Sequence, residues 1–438
     1  MISAQTQSIQ DRSQTGRHAV TTNRVDTATG AAYVLLAALA GLCGGGLSVA
    51  GGLGLLPAGS ILARIEPAHP ALMLLYVVVP ALVGGFGTLW LPRALARDHM
   101  LARGLNGAGL VLAACAALLT LGNAAQGVHP HGTGAGIALL LWCAGTLLTC
   151  MALLVTVFDS RADSVARRPF SPFVWGEMLA AAVLLLSVPV LAGMVVRAWF
   201  WPALAQPVVA ENFAGPIGLV ILLAGFGIVF EMSARFARFS ERPVALIMAA
   251  TAATGSVAWV KTVFVQGAER TSAVWLGGVI LALCSFSAVC LAGLWLAGTW
   301  KSRVTLRTPL LWGLGFLAVV SVGWVAQLSH GAGLHSALQF GALYAVCGGF
   351  YLWRGEECGF WYPQGLALLH FGLTAVATAL VFIPAQQGLG GVLFGLSAVC
   401  FVLTAGASFR RNVSAASVAD ANVAEQPLHR TPRAETTR

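Results

Sequence analysis

The sequence predicts an all-α fold: an integral membrane bundle of twelve transmembrane helices. Of its 438 residues, 58% are hydrophobic and only 9% are charged, whereas roughly a quarter of the residues in a soluble globular protein are charged. Apolar runs of about 20 residues, the length that a spanning helix needs, recur along the chain. Basic residues gather in alternate connections between these runs. These three observations exclude a soluble enzyme.

The apolar runs and their flanks define the organisation of the chain. We expect flexible cytoplasmic tails at residues 1–30 and 409–438, which are polar, and a twelve-helix membrane domain at residues 31–408. In chain order, the predicted helices are 32–57, 68–91, 104–122, 134–158, 174–197, 213–233, 243–265, 273–298, 309–328, 335–353, 364–384 and 388–408.

The distribution of the basic residues along the chain supports this number and order of helices. Of the 25 Lys and Arg residues, 21 lie in the tails and in every second connection, while Arg64, Arg197 and Arg270 lie in the opposite connections and Lys261 lies within the seventh helix. One missed or invented helix would scramble this alternation. The 21 residues are, group by group, Arg12, Arg17, Arg24; Arg93, Arg97, Arg103; Arg161, Arg167, Arg168; Arg235, Arg238, Arg242; Lys301, Arg303, Arg307; Arg354; and Arg410, Arg411, Arg430, Arg433, Arg438.

This distribution also predicts orientation. Cytoplasmic connections retain Lys and Arg, so we expect a multi-pass protein of a bacterial-type inner membrane with both termini in the cytoplasm. The net charge of +9 lies in short connections rather than on one folded face. It therefore does not indicate a nucleic-acid partner.

Two histidines are candidate ligands, because ionisable groups inside a membrane are costly and often functional. His69 begins the second predicted helix and His335 begins the tenth, so both are expected at a similar depth near the external face. Two neutral imidazoles facing each other across a bundle can ligate one haem iron. The alternative for each is an interfacial histidine that caps a helix or contacts lipid headgroups. His370, near the start of the eleventh helix, is expected to be interfacial and without a partner.

The remaining charged groups in or near the helices indicate no proton pathway. Lys261 lies near the external end of the seventh helix and is expected to extend toward the surface. The carboxylates lie at or near predicted cytoplasmic helix ends, where we expect them to pair with neighbouring Arg residues. They are Asp98, Asp159, Asp163, Glu177 and Glu231.

Several motifs make the sequence resemble subunit I of the haem-copper oxidases, the twelve-helix core of cytochrome c oxidase. His69 is followed at the family's spacing by Pro80 and the run PALVGGFGTLWLP. Further similarity lies in LLLSVPVLAG of the fifth helix, GFGIVFEMSARFARFSERP of the sixth and GGFYLW of the tenth. The resemblance covers almost all of residues 30–400, and it implies a haem held between the second and tenth helices.

The departures from the family pattern concern its oxygen-reducing site. Where the family's tenth helix places a high-spin and then a low-spin haem ligand, this chain has Gly333, Leu334 and His335, which leaves only the low-spin ligand. In the sixth helix, residues 214–219 read AGPIGL, where the family has a copper-binding His, a proton-donating Glu and a cross-linked Tyr. Lys261 and Thr262 replace two copper-binding histidines. We therefore expect no copper and no reduction of O2 by the chain alone.

The resemblance thus implies a haem-binding electron-transfer subunit with one bis-histidine low-spin haem, for which His69 and His335 are the cofactor and metal ligands. The haem is expected to be b or a, since Gly51 and Gly52 occupy the stretch where members using haem a carry an Arg. Implied partners are the lipid bilayer and other oxidase-like subunits, including a copper- or cytochrome-bearing electron donor. No nucleic acid is expected.

Two other functions remain open at this stage. One is a non-catalytic scaffold, assembly or sensing protein of a respiratory complex. The other is an active terminal oxidase subunit with unusual ligands from Lys261 or His330. A related hypothesis is that the Lys261 ammonium fills the space that copper occupies in the family.

Overall fold

The computed structural model shows an all-α bundle with short connections. It describes residues 24–128, 132–162, 169–200, 208–234, 237, 239–264, 286–300, 306–330, 334–357 and 362–410, and none of these stretches forms a β-strand. A few side chains within the helices, that of His335 among them, lie outside the described part.

Twelve apolar helices make up the described bundle, which confirms the predicted fold class. Ten of them are long and apolar enough to cross a bilayer, the eighth is described from Phe286 onward, and the tenth has 18 residues. In chain order they are α1 (Arg24–Gly52), α2 (Ile61–Ala94), α3 (Arg103–Ala125), α4 (Thr133–Ala162), α5 (Pro172–Phe200), α6 (Val208–Ser233), α7 (Glu241–Phe264), α8 (Phe286–Trp300), α9 (Thr308–His330), α10 (Leu334–Tyr351), α11 (Gln364–Val381) and α12 (Gln387–Arg410).

The first helix differs from its prediction at both ends. It begins at Arg24 instead of 32, because buried Asp26 is held by a distant part of the chain: its carboxylate accepts the Met100 N–H at 2.9 Å and lies 3.5 Å from Arg103 Nε. Residues 24–30, which were expected in the tail, are therefore helical. The helix ends at Gly52 instead of 57, where the chain turns through Gly54 at a positive φ of 68°, a conformation that favours glycine.

The second helix begins earlier than predicted and is not uniformly α-helical. It starts at Ile61 instead of 68, after Ser60, whose Oγ accepts the Ala63 N–H at 3.2 Å as an N-cap. Further along, Leu72–Val78 and Pro80–Phe86 are π-helical. Pro80 lacks an N–H and cannot make the usual helical hydrogen bond, which accounts for the irregularity in part.

The contacts between interior helices establish their directions. The most apolar stretch of α6 is 89% buried and that of α12 only 22%, so α6 is central. The end of α2 contacts the start of α5, and the start of α5 contacts the end of α6. The early part of α10 contacts the early part of α6, and the late part of α10 contacts the late part of α6. The contacts are Trp90 with Phe173, Phe173 with Gly227, Gly218 with Leu338, and Gly348 with Met232. Hence α2, α6 and α10 run parallel and start at the same end of the bundle.

The outer surface is apolar, as a lipid environment requires. Leu118 on α3, Phe158 on α4 and Leu246 on α7 are among the many large hydrophobic side chains that are more than half exposed. Such a surface together with ten span-length helices describes a multi-pass membrane protein.

Candidate functional site

His69 lies near the start of α2, in a stretch shaped by prolines. The opening turn Ile61–Ile65 is followed by a 3-10 turn over Glu66–Ala68, and the next turn starts at His69. Pro67 and Pro70 each occupy an early position in a turn, where the missing N–H costs little. This sequence places the His69 side chain half-buried beside α1.

A backbone carbonyl of α1 orients the His69 ring. Nδ1 of His69 lies 3.0 Å from the carbonyl oxygen of Gly44. A carbonyl can only accept, so Nδ1 carries the proton in this hydrogen bond, and in the neutral ring the lone pair is then on Nε2. Metal-binding histidines commonly donate their second ring N–H to a carbonyl in this way. His69 therefore has the tautomer that suits an axial ligand binding through Nε2.

This hydrogen bond depends on the close approach of α1 and α2 at Gly44. A β-carbon on Gly44 would stand 2.9 Å from Met73 Cε and 3.1 Å from Leu72 Cβ, which is closer than carbon atoms pack. The neighbouring Gly45 differs, because a β-carbon there would meet nothing within 4 Å. Of the two glycines, Gly44 is thus the one that the helix contact requires.

His335 is the second residue of α10, and its side chain lies outside the described residues. Its depth follows from the backbone. The ring of Phe86 on α2 packs at Gly349 of α10, and the two helices run parallel. His69 precedes Phe86 by 17 residues and His335 precedes Gly349 by 14, about 25 and 21 Å at the α-helical rise of 1.5 Å per residue. The wider π-helical turns of α2 shorten the first distance. The two histidines therefore start from similar depths at the same end of the bundle.

The positions where the sequence lacks copper ligands are apolar and packed. Gly215 of α6 approaches Trp259 of α7, Gly218 faces Leu338 of α10, and Leu219 fills the space beside Gly255. Lys261 lies half-buried in the last turn of α7. Within the described stretches, no group of three His, Cys, Asp or Glu side chains is placed to hold a metal ion.

His370 has a partner, contrary to the expectation for this residue. It is only 4% exposed, and its Nδ1 lies 2.9 Å from the hydroxyl oxygen of Tyr351 on α10. Its ring centroid is 4.7 Å from that of Trp312 on α9. Local sequence could not reveal this site, because the partners come from two other helices. His370 thus belongs to a buried aromatic cluster rather than to the interface.

The expected pairing of carboxylates with arginine is seen for Asp159 and fails for Glu177. Asp159 pairs with Arg97 at 2.7 Å, and Asp163 lies outside the described residues. Glu177 is completely buried in α5, and neither of its carboxylate oxygens has a hydrogen-bond partner among the described residues. The sequence prediction that Glu177 pairs with a neighbouring Arg is therefore wrong.

An apolar cavity of about 390 Å³ lies between α1 and α12. Small residues on the two helices, such as Gly46, Ala50, Gly395 and Ala398, create it, and its whole described lining is apolar. It opens on the α12 side of the glycine-rich stretch that contains Gly44. An apolar cavity of this kind favours hydrocarbon groups over polar ones.

Comparison with known proteins identifies the family. The profile of the family described as cytochrome C and quinol oxidase polypeptide I matches residues 28–326. The chain belongs to this family. The family match includes His69 and ends before His335.

Relatives within the oxidase family support the same relationship. Cytochrome c oxidase subunit 1 of Cereibacter sphaeroides is 28% identical over 376 residues, which cover 74% of this chain and 66% of that protein. Cytochrome c oxidase subunit 1 of Debaryomyces hansenii is 24% identical over 376 residues, which cover 74% of this chain and 70% of that protein. The chain spans about two thirds of the length of these relatives, and the predicted resemblance to haem-copper oxidase subunit I is confirmed.

Proposed function

We propose that this oxidase-family chain is a haem-binding electron-transfer subunit of a membrane complex. It holds one low-spin haem, b or a, between His69 and His335. The observation that carries this proposal is the hydrogen bond from His69 Nδ1 to the Gly44 carbonyl oxygen at 3.0 Å, because it fixes the ring and leaves Nε2 free to bind iron.

The protein's contribution is to position two imidazoles. Bound haem supplies a one-electron redox centre. His69 is held by α1, and the parallel course of α2 and α10 brings His335 to a similar depth. If both histidines bound the haem iron, no coordination site would remain for a substrate, which suits electron transfer rather than oxygen chemistry.

We further propose that the chain binds no copper and does not reduce O2 by itself. The residues at 214–219 offer no ligand, and the described side chains around them, Leu219, Trp259 and Leu338, pack against helix backbone. A scaffold or sensing role is the alternative if no haem is bound.

The proposed setting is a bacterial-type inner membrane with both termini in the cytoplasm. The electron donor would be a copper- or cytochrome-bearing subunit at the external end, where His69 lies. Lipid surrounds the exposed apolar side chains, and no nucleic acid takes part.

Spectroscopy of the purified protein tests the proposal. We expect one low-spin haem per chain, seen in pyridine haemochrome and reduced-minus-oxidised spectra, that does not respond to CO. His69→Ala and His335→Ala should each abolish it. His99→Ala, which removes an exposed histidine, is the matched control and should leave it intact.

Two results would contradict this account. Absence of haem in the wild-type protein would favour the scaffold role. A second, CO-binding haem would show that the chain retains an open site, and loss of that signal in His330→Ala would identify its ligand.

A further inference from the structure

Glu177 lies in the second turn of α5, inside the bundle, and is 0% exposed. Its carboxyl group faces α2 and α4. Oε2 lies 3.2 Å from the point where a β-carbon on Gly87 would stand, and Leu153 Cδ2 reaches the same point at 3.2 Å. The missing side chain at Gly87 therefore provides the room that the carboxyl group occupies.

This carboxyl group differs from the buried carboxylate of Asp26. Asp26, 1% exposed, accepts the Met100 N–H and lies beside Arg103, so its negative charge is compensated. Neither oxygen of Glu177 has a hydrogen-bond partner among the described residues. Burying an ionised carboxylate without a partner is among the costliest arrangements in a protein, and more so at membrane depth.

A proton is the cation that fits this site. Metal ions such as Mg²⁺ or Ca²⁺ require about six or more oxygen ligands. Gly87, the Leu153 side chain and Cys150 lie near the Glu177 carboxyl group in the described structure. Neither Gly87 nor Leu153 has a side-chain oxygen that could complete a coordination shell, whereas a proton needs one oxygen and no added volume.

Charged side chains on the packed elements lie farther away along their helices. On each packed helix, one charged residue lies nearest, along the helix, to the residue that is closest to the site. These are Arg93, counted from Gly87 on α2; Asp159, from Leu153 on α4; and Glu231, from Gly227 on α6. Each is at least one helical turn, about 5 Å, closer to the end of the bundle. On α7 the charges at that end are Glu241 and Arg242.

A small and mostly apolar cavity near the site, with a few polar side chains in its lining, offers a path for exchange. Tyr33, Thr149 and Cys150 line it, and it has room for about one water molecule, at about 10 Å³. The Tyr33 hydroxyl lies 2.6 Å from Thr149 Oγ1 and 3.1 Å from the backbone oxygen of Asn106 near the start of α3. Cys150 of α4 lines the cavity and lies in the neighbourhood of the Glu177 carboxyl group.

We infer that Glu177 is a proton-binding site inside the membrane domain, with the neutral acid as its resident form. The proton exchanges through the cavity formed by Tyr33, Thr149 and Cys150. The site is independent of the proposed haem, so its tests can fail or succeed whether or not haem is bound.

A hydrophobic carbodiimide tests the neutral acid chemically. With dicyclohexylcarbodiimide, the acid proton moves to one nitrogen as a carboxyl oxygen bonds to the central carbon. The acyl group then shifts to the adjacent nitrogen, which gives a stable N-acylurea that contains every atom of both reactants. A neutral carboxyl group supplies that proton itself, whereas an ionised carboxylate has none to give.

The labelling is done on membranes that contain the full chain and is located by peptide mass spectrometry. We expect an adduct at Glu177 in the wild type and in Asp26→Asn, loss of that adduct in Glu177→Gln, and no adduct at Asp26. Failure to label Glu177, or equal labelling of Asp26, would overturn the inference.

Infrared spectroscopy supplies a readout that does not depend on reagent access. We expect a carbonyl stretching band of a neutral, weakly hydrogen-bonded acid at neutral pH that is lost in Glu177→Gln and shifts in deuterated water. Thr149→Val should slow that shift, because it removes a hydroxyl group from the path. A wild-type spectrum without a Glu177-dependent band would refute the site, and an unchanged exchange rate in Thr149→Val would refute the path.

Discussion

Single residues set the chemistry of the candidate ligand His69. Its ring hydrogen bond requires the α1 backbone to come within contact of α2, and only a residue without a side chain permits this at position 44. The sequence run Gly44, Gly45, Gly46 gives no indication of which glycine matters. The distinction comes from the side chains of Leu72 and Met73 on the facing helix.

Gly44→Ala should therefore disrupt the site, and Gly45→Ala should not. The added methyl group at 44 overlaps Met73 and Leu72 and is expected to cost about 1–3 kcal/mol of stability, with lower haem content because His69 loses its orientation. At 45 the methyl group meets nothing, and the better helix propensity of Ala should stabilise by up to about 1 kcal/mol. Haem-to-protein ratio and unfolding in detergent measure both effects. Equal behaviour of the two variants would contradict the packing argument.

Tyr351 and His370 should behave as a coupled pair. Tyr351→Phe removes the hydroxyl group and leaves His370 Nδ1 buried without its partner, which is expected to cost about 1–3 kcal/mol. His370→Leu removes the other partner. In a double-mutant cycle by unfolding in detergent, the two changes should be less than additive. Additive effects would mean that the 2.9 Å contact contributes nothing to stability.

At the scale of helices, hydrophobic patterning predicted the bundle but not the ends of α1 and α2. The apolar runs identify where a chain can cross a bilayer, so the helices were expected in the right order. The start of α1 depends on Asp26, whose partners Met100 and Arg103 lie over 70 residues later. Likewise, the surroundings of Glu177 and His370 come from neighbouring helices. These contacts join residues that are far apart in the sequence, so they could not be predicted before the fold was known.

The opening turns of α1 should depend on Asp26. Asp26→Ala removes the acceptor of the Met100 N–H and the partner of Arg103, so we expect a loss of about 2 kcal/mol and faster tryptic cleavage after Arg24. Thr29→Ala is the matched control, because the Thr29 hydroxyl bonds only to the Val25 carbonyl of its own helix among the contacts described. Cleavage at the same rate in both variants would show that Asp26 does not anchor α1.

At the scale of the whole molecule, charge and hydrophobicity together determine how the bundle lies in the membrane. Near the ends of the parallel helices α2 and α6 lie three arginines each, and α10 is followed by Arg354. This common direction agrees with the alternation of basic residues along the chain, and it places His69 near one face and Glu177 near the other.

Reporter fusions should place both termini in the cytoplasm. With 21 basic residues on one side and three on the other, the positive-inside rule favours this orientation strongly. A fluorescent protein fused after Arg438 should fold and fluoresce, whereas alkaline phosphatase at the same position should be inactive. The reverse result would invert the proposed topology and move the electron donor to the cytoplasmic side.

The two π-helical segments of α2 control rotation as well as shape. A π turn accommodates an additional residue within an α-helix. Each π turn therefore rotates the preceding side chains about the helix axis relative to those that follow. Deleting one residue between Leu72 and Phe86 would rotate His69 by about 100° relative to Thr88 and Trp90. The ring would then leave the Gly44 carbonyl, although every side chain in the helix would keep its hydrophobic character. The number of residues in this stretch therefore fixes the rotation of His69 about the helix axis relative to Thr88 and Trp90. Apolar substitutions would not change that rotation.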